Sequence, residues 1–102
     1  MYIAINRFKI NRGQEDAFEN MWQRRETHLD NVPGFIKFHL AKGNSAQTHT
    51  LYISHSTWHS KEDFTLWTKS EAFRLAHKGA GKHSDIYQGH PIFEGFEVIL
   101  GD

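Results

Sequence analysis

The hydrophobic pattern of this chain switches between two periods. From Tyr2 to Ile10 it repeats every second residue: Tyr2, Ala4, Asn6, Phe8 and Ile10 share one face, and Ile3, Ile5, Arg7 and Lys9 the other, which predicts a strand. The first face is apolar except at Asn6. Asn11-Arg12-Gly13-Gln14 breaks the strand with turn formers. From about Glu15 to Asp30 the apolar positions Ala17, Phe18, Met21, Trp22 and Leu29 follow helical spacing with charges between them, so an amphipathic helix is predicted. Asn31-Val32-Pro33-Gly34 ends it, because Pro33 disfavours helix at Val32 and Gly34 supplies a turn.

Phe35 to Ala41 reads as a second strand, Lys42 to Gln47 as a polar hairpin loop, and Thr48 to Trp58 as a third strand rich in Thr, Tyr and Ile. The stretch from Thr57 to His83 then changes period. Ser60 is a good N-cap, and Glu62 and Asp63 place negative charge in the first turn, where the helix dipole favours it. Phe64 and Trp67 are three apart and share a helical face. Ser70 is a second start signal, Phe73, Ala76 and His77 form the next stripe, and Gly79 and Gly81 end the helix. A bent helical segment follows, with an aromatic and, ten residues later, a histidine at a helix end. Ser84 to Pro91 reads as a loop and Ile92 to Leu100 as a closing strand.

The order strand, helix, strand, strand, helix, strand is the split βαβ pattern of a ferredoxin-like α+β sandwich with an antiparallel sheet. A single domain spanning residues 1–102 is expected. The strands carry hydrophobic residues at both parities, so helices cover one face and something must cover the other. A second copy is the simplest cover, which predicts a homodimer whose two sheets pack together.

Composition narrows the chemistry. Twelve basic against twelve acidic side chains leave no formal charge, which argues against nucleic acid or an anionic membrane as partner. The absence of cysteine excludes disulfides, thiolate metal sites and a cysteine nucleophile. No apolar run is long enough to span a membrane and the N-terminus reads as a strand, so a soluble cytoplasmic protein is expected. Aromatics at 14% enrich either a small core or a flat apolar pocket, and composition does not choose between them.

Four pieces carry a resemblance over nearly the whole chain: Asn6-Arg7-Phe8, Pro33-Gly34-Phe35, Trp58-x-Ser60-x-x-x-Phe64-x-x-Trp67, and Ser70-x-x-Phe73-x-x-Ala76-His77. They resemble the haem-degrading monooxygenases of the IsdG type, within the wider antibiotic-biosynthesis-monooxygenase superfamily of dimeric ferredoxin-like proteins. The second and third pieces occur broadly across that superfamily and speak for fold. The combination of Asn6, Trp67 and His77 matches the haem degraders' catalytic trio in type and order, and is more specific.

The resemblance implies that His77 is the axial ligand to haem iron, with the opposite side open to dioxygen. A partly exposed imidazole near a helix end is suited to bind metal through one nitrogen, although the same residue can merely meet the last helical carbonyls. Asn6 is implied as hydrogen-bond donor to the oxygen chemistry at iron; the plainer reading is an amide tied to nearby backbone at a sheet rim. Trp67 is implied to press on the porphyrin and distort it, where a core aromatic is the competing reading. Phe64 and Phe73 would line the haem, and Lys78, Lys82 and His83 either meet its propionates or form a solvated basic loop. His49, His55 and His59 share a parity on the third strand but stand too far apart for a compact metal site, so they read as structural or surface residues.

Haem is then substrate and oxygen-activating cofactor together, with dioxygen as co-substrate, ring opening, and iron released. No flavin or nicotinamide fingerprint is present, so electrons come from an external donor or reductase. Two other readings use the same pocket: a cofactor-free monooxygenase acting on a polycyclic phenol, and a non-catalytic haem carrier.

Overall fold

The computed structural model describes residues 1–24, 28–76 and 85–101, without the side chains at 72, 75 and 76. The elements run β1 (Tyr2–Asn11), α1 (Glu15–Arg24), β2 (Phe35–Ser45), β3 (His49–Trp58), α2 (Lys61–Thr68), α3 (Glu71–Ala76) and β4 (Ile92–Glu97). The strands form one antiparallel sheet in the order β2-β3-β1-β4, a ferredoxin-like α+β fold.

The register of β1 against β3 sets Tyr2 opposite Trp58, Phe8 opposite Tyr52 and Ile10 opposite Thr50, and all six residues are buried. They lie on the face that the helices cover. Over one end of it α1 lays Phe18, with ring centroids 5.5 Å from Phe8 and 4.7 Å from Tyr52. Over the other end α2 lays Phe64, 5.7 Å from Tyr2 and 5.6 Å from Trp58. The core therefore forms two clusters, one around Phe8, Ile10, Phe18, Tyr52 and Ile86, the other around Tyr2, Ala4, Leu29 and Trp58. Trp58 Nε1 donates to Ser56 Oγ at 2.9 Å, which satisfies the indole inside the core.

Polar contacts fix how the helices dock. The hydroxyl of Thr50 donates to Glu15 at 2.8 Å and that of Tyr52 to Glu19 at 2.5 Å, so two carboxylates tie α1 down onto β3. The Thr50 hydrogen bond holds the Glu15 carboxyl below the usual glutamate range, and burial, then the bond to Glu19, push the Tyr52 phenol up. Ser60 caps α2, its Oγ accepting from the Asp63 amide at 3.1 Å. Ser70 works at both sides of the bend: its hydroxyl donates to the Trp67 carbonyl at 2.6 Å and accepts from the Phe73 amide at 3.1 Å. Gly34 sits at φ +83 with its Cα against the Asp63 carboxyl, where a Cβ has no room, so the Pro33-Gly34 turn packs directly on the first turn of α2.

Several boundaries differ from the pattern-based expectation. α1 is described as far as Arg24 and does not run on to Asp30: His28 and Asn31 take positive φ, 55 and 66, which no helix accommodates, and Leu29 reaches the core from outside the helix. Ala17, expected on the apolar stripe, is exposed. β2 continues to Ser45 through the expected hairpin loop, with a register shift between Lys42 and Ser45 that keeps Ser45 opposite Thr50. β4 stops at Glu97, not Leu100: its partner β1 begins at Tyr2, and the last bond runs from the Val98 amide to the Met1 carbonyl at 2.8 Å. The expected loop before β4 is stitched to β1 by an Ile10–Tyr87 bridge and buries Ile86.

The opposite sheet face presents Ile3 and Ile5 of β1, Leu51 and Ile53 of β3, and Ile92 and Phe96 of β4, the last two 55% and 48% exposed. The expected apolarity of both faces is thus present. α1 and α2 both lie on the first face.

Phe18 is fully buried and touches Phe8, Trp22, Tyr52 and Tyr87. Phe18→Ala is expected to cost about 3–5 kcal/mol of stability, read as a lower urea midpoint at an unchanged m-value.

Candidate functional site

Between the two core clusters, the sheet floor carries one row, which touches the Phe8 cluster through Leu40. Its members, read across the strands, are Leu40 of β2, Ser54 of β3, Asn6 of β1 and Phe93 of β4, each opposite the next in register. Two of the four are polar, on a face otherwise made of Tyr2, Ala4, Phe8 and Ile10 along β1. Ser54 is buried and Asn6 half-buried, so the amide lies on the helix-covered face of the sheet among aromatic residues.

One wall is α2. Phe64 stacks on Phe93 with centroids 5.6 Å apart and planes 8° from parallel, continuing the floor upward at the β4 side. Trp67 lies 5.3 Å from Trp58, 6.1 Å from Phe64 and 4.8 Å from Phe73. Three rings thus hold it in place, and the sequence spacing that put Phe64 and Trp67 on one face is realised. Phe73, from α3, meets Trp67 edge-on at 85°. The other wall is α1 with Phe8: Trp22 lies 6.0 Å from Phe8 and stacks on Phe38 at 5.6 Å, which joins the two clusters on the β2 side.

Beside that junction, a groove of about 320 Å³ is lined by Glu19, Trp22, Phe38, Lys42 and Tyr52 among others. Leu40 reaches both this groove and the Asn6 row. The groove contains none of the residues expected at the site. Neither Ser54 nor Phe93 was singled out by the sequence, because their place beside Asn6 depends on strand register. His77, Lys78, Lys82 and His83 lie outside the described residues. Of the expected site residues, the structure therefore brings Phe64 and Phe73 each against Trp67 and sets Asn6 on the floor beside Phe93, the ring on which Phe64 stacks.

None of Leu40, Ser54, Asn6, Phe93, Phe64 and Trp67 carries an ionisable side chain. Such a surface sandwiches flat apolar matter and offers it amide and hydroxyl hydrogen bonds; it is built for positioning rather than for proton transfer.

The family model for antibiotic biosynthesis monooxygenase matches residues 1–79. A heme-degrading monooxygenase of Shouchella clausii (strain KSM-K16) is 49% identical over 101 residues, covering 97% of this chain and 92% of that protein. Among solved structures, the heme degrader MhuD from Mycobacterium tuberculosis, with two hemes bound in its active site, is similar at a TM-score of 0.75 and 24% identity over 100% of this chain and 99% of that one. SnoaB, a cofactor-independent oxygenase from Streptomyces nogalater, is similar at a TM-score of 0.71 and 19% identity over 98% of this chain and 94% of that one. The two structural likenesses speak for the fold, which a heme degrader and a cofactor-independent oxygenase share. The family match and the near-full-length relative make this chain a member of the antibiotic biosynthesis monooxygenase family.

Proposed function

We propose that this protein is a haem-degrading monooxygenase that takes haem as substrate and opens its ring with dioxygen and external electrons, releasing iron. The observation that carries the reading is the half-buried Asn6 amide on an apolar floor, beside the aromatic wall of Phe64 and Trp67. The name of the 49% identical relative supports the same substrate. A planar, largely apolar macrocycle suits such aromatic neighbours, and when bound it would supply the iron chemistry that the protein's own side chains lack.

Each residue then has a defined part. Asn6 donates an amide hydrogen bond toward the centre of the bound ring, from a strand whose pairing on both sides fixes the side chain's position. Trp67 is braced by Trp58, Phe64 and Phe73, so that contact with the macrocycle would press on the macrocycle. Phe64 and Phe73 line the ring. His77, directly after the last residue of α3, is proposed as the iron ligand, and Lys78 and His83 as partners of the propionates. Electrons come from a separate donor or reductase. We place this activity in the cytoplasm, in one domain, and in a homodimer formed by the two exposed apolar sheet faces.

Haemin titration followed by ascorbate in air, with catalase and an iron chelator present, is expected to give a saturable Soret band that then decays. No saturable band would move the protein to the cofactor-independent oxygenases, and a band that persists with every reductant tried would make it a carrier. In the same assay Asn6→Ala is expected to keep haem binding and slow ring opening by tenfold or more, about the worth of one hydrogen bond of ~1.4 kcal/mol; unchanged decay removes Asn6 from the reaction. Trp67→Ala is expected to flatten the bound macrocycle, read from the out-of-plane modes in resonance Raman. Identical spectra would leave Trp67 a packing residue.

A further inference from the structure

We infer that His39 and His55 form a two-imidazole site for a late first-row divalent cation, Zn²⁺ or Cu²⁺, on the sheet face opposite the Asn6 floor. The two are sixteen positions apart in sequence, but the antiparallel register of β2 and β3 sets them directly opposite each other, with ring centroids 6.2 Å apart. A metal–nitrogen bond of about 2.0–2.1 Å places an imidazole centroid roughly 3.2 Å from its ion. Two rings on one ion then stand between about 5 Å apart at a tetrahedral angle and about 6.4 Å apart when opposed. The observed separation falls inside that range, and a side-chain rotation that draws the rings about 1 Å together reaches the tetrahedral arrangement.

The surroundings favour nitrogen ligation. Among the described residues neither ring makes a hydrogen bond or an ion pair, and His55 Nδ1 is buried without a partner, as is Thr57 Oγ1 on the same face. No competing bond therefore fixes the tautomer or holds the rings back from a shared ion. The row continues across the sheet as His39, His55, Ile5 and Glu94; the apolar Ile5 separates the pair from the carboxylate, and Arg7 engages Glu94 at 2.6 Å. Lys37 flanks His39 along β2, so bonding to nitrogen rather than attraction between charges holds the ion. This donor set selects borderline transition ions over Ca²⁺ and Mg²⁺, which require oxygen ligands. Water takes the remaining positions in the single chain. The inference does not depend on haem. A second protomer on this face would enclose the ion between the sheets.

The test uses the full-length, haem-free protein dialysed to equilibrium against Cu²⁺, with bound copper read by EPR, and Zn²⁺ as competitor. Saturable binding with nitrogen superhyperfine structure is expected, displaced by Zn²⁺ and unaffected by excess Mg²⁺. His39→Ala, on the face proposed to meet the second protomer, is expected to weaken binding at least tenfold in protein of the parent's oligomeric state by size-exclusion chromatography. His55→Ala should do the same, whereas His49→Ala, six residues along the strand, should leave binding intact. Equal copper binding by the parent, His39→Ala and His55→Ala would overturn the assignment, as would the absence of saturable binding in the parent.

Discussion

A slip of one residue between β1 and its neighbours would exchange Tyr2, Ala4, Phe8 and Ile10 for Ile3, Ile5, Arg7 and Lys9 on the helix-covered face. The helices would then sit on two cations, and the rings of Phe18 and Phe64 would lose their partners. That cost fixes the register, and almost every later feature follows from it. β1 is the inner strand through which β3 meets β4, so its parity decides simultaneously what the helices cover and what the other face shows. Asn6 lies on the helix-covered face because it shares a parity with Tyr2 and Phe8. Gly95 opposite Ala4 belongs to the same arrangement: the Tyr2 hydroxyl occupies the space that a side chain there would need.

The aromatic residues are divided by that register into two packed groups, and the Asn6 row lies between them. α1 and α2 each cover one end of the floor, and the stacked pair of Trp22 and Phe38 bridges them at the β2 side. Trp67 is packed by Trp58, Phe64 and Phe73, and the bracing it gains there serves the part proposed for it against the macrocycle. Packing and the proposed role make the same demand at this position.

How much of this was legible in the sequence depended on distance along the chain. The Ser60 and Ser70 caps, the Pro33-Gly34 turn and the shared face of Phe64 and Trp67 are local, and local rules found them. The end of β4 was misjudged because the alternation of Ile92 to Leu100 persists after β1 has run out of residues to pair with, leaving Ile99 and Leu100 93% and 91% exposed. The polar tract from Lys42 read as loop, yet pairing with Tyr52 and Thr50 keeps it in the sheet. Neighbours across strands were out of reach altogether. Nothing along the chain places Ser54 or Phe93 beside Asn6, or His39 opposite His55.

The choice of an amide at position 6 also has a physical reason. An aspartate has the same shape, but when ionised it only accepts hydrogen bonds, and a charge on a half-buried floor between aromatic walls is costly unless paired. The nearest position in register on β3 is Ser54 and on β4 Phe93, and neither supplies a countercharge. A leucine would complete the apolar face and remove the donor. Asparagine alone among these three keeps a neutral donor at the centre of the floor, at a desolvation cost that the well-packed clusters on either side can bear. Asn6 is the one polar side chain between Tyr2 and Ile10 on the helix-covered face of β1, and a neutral donor there is what the proposed site requires.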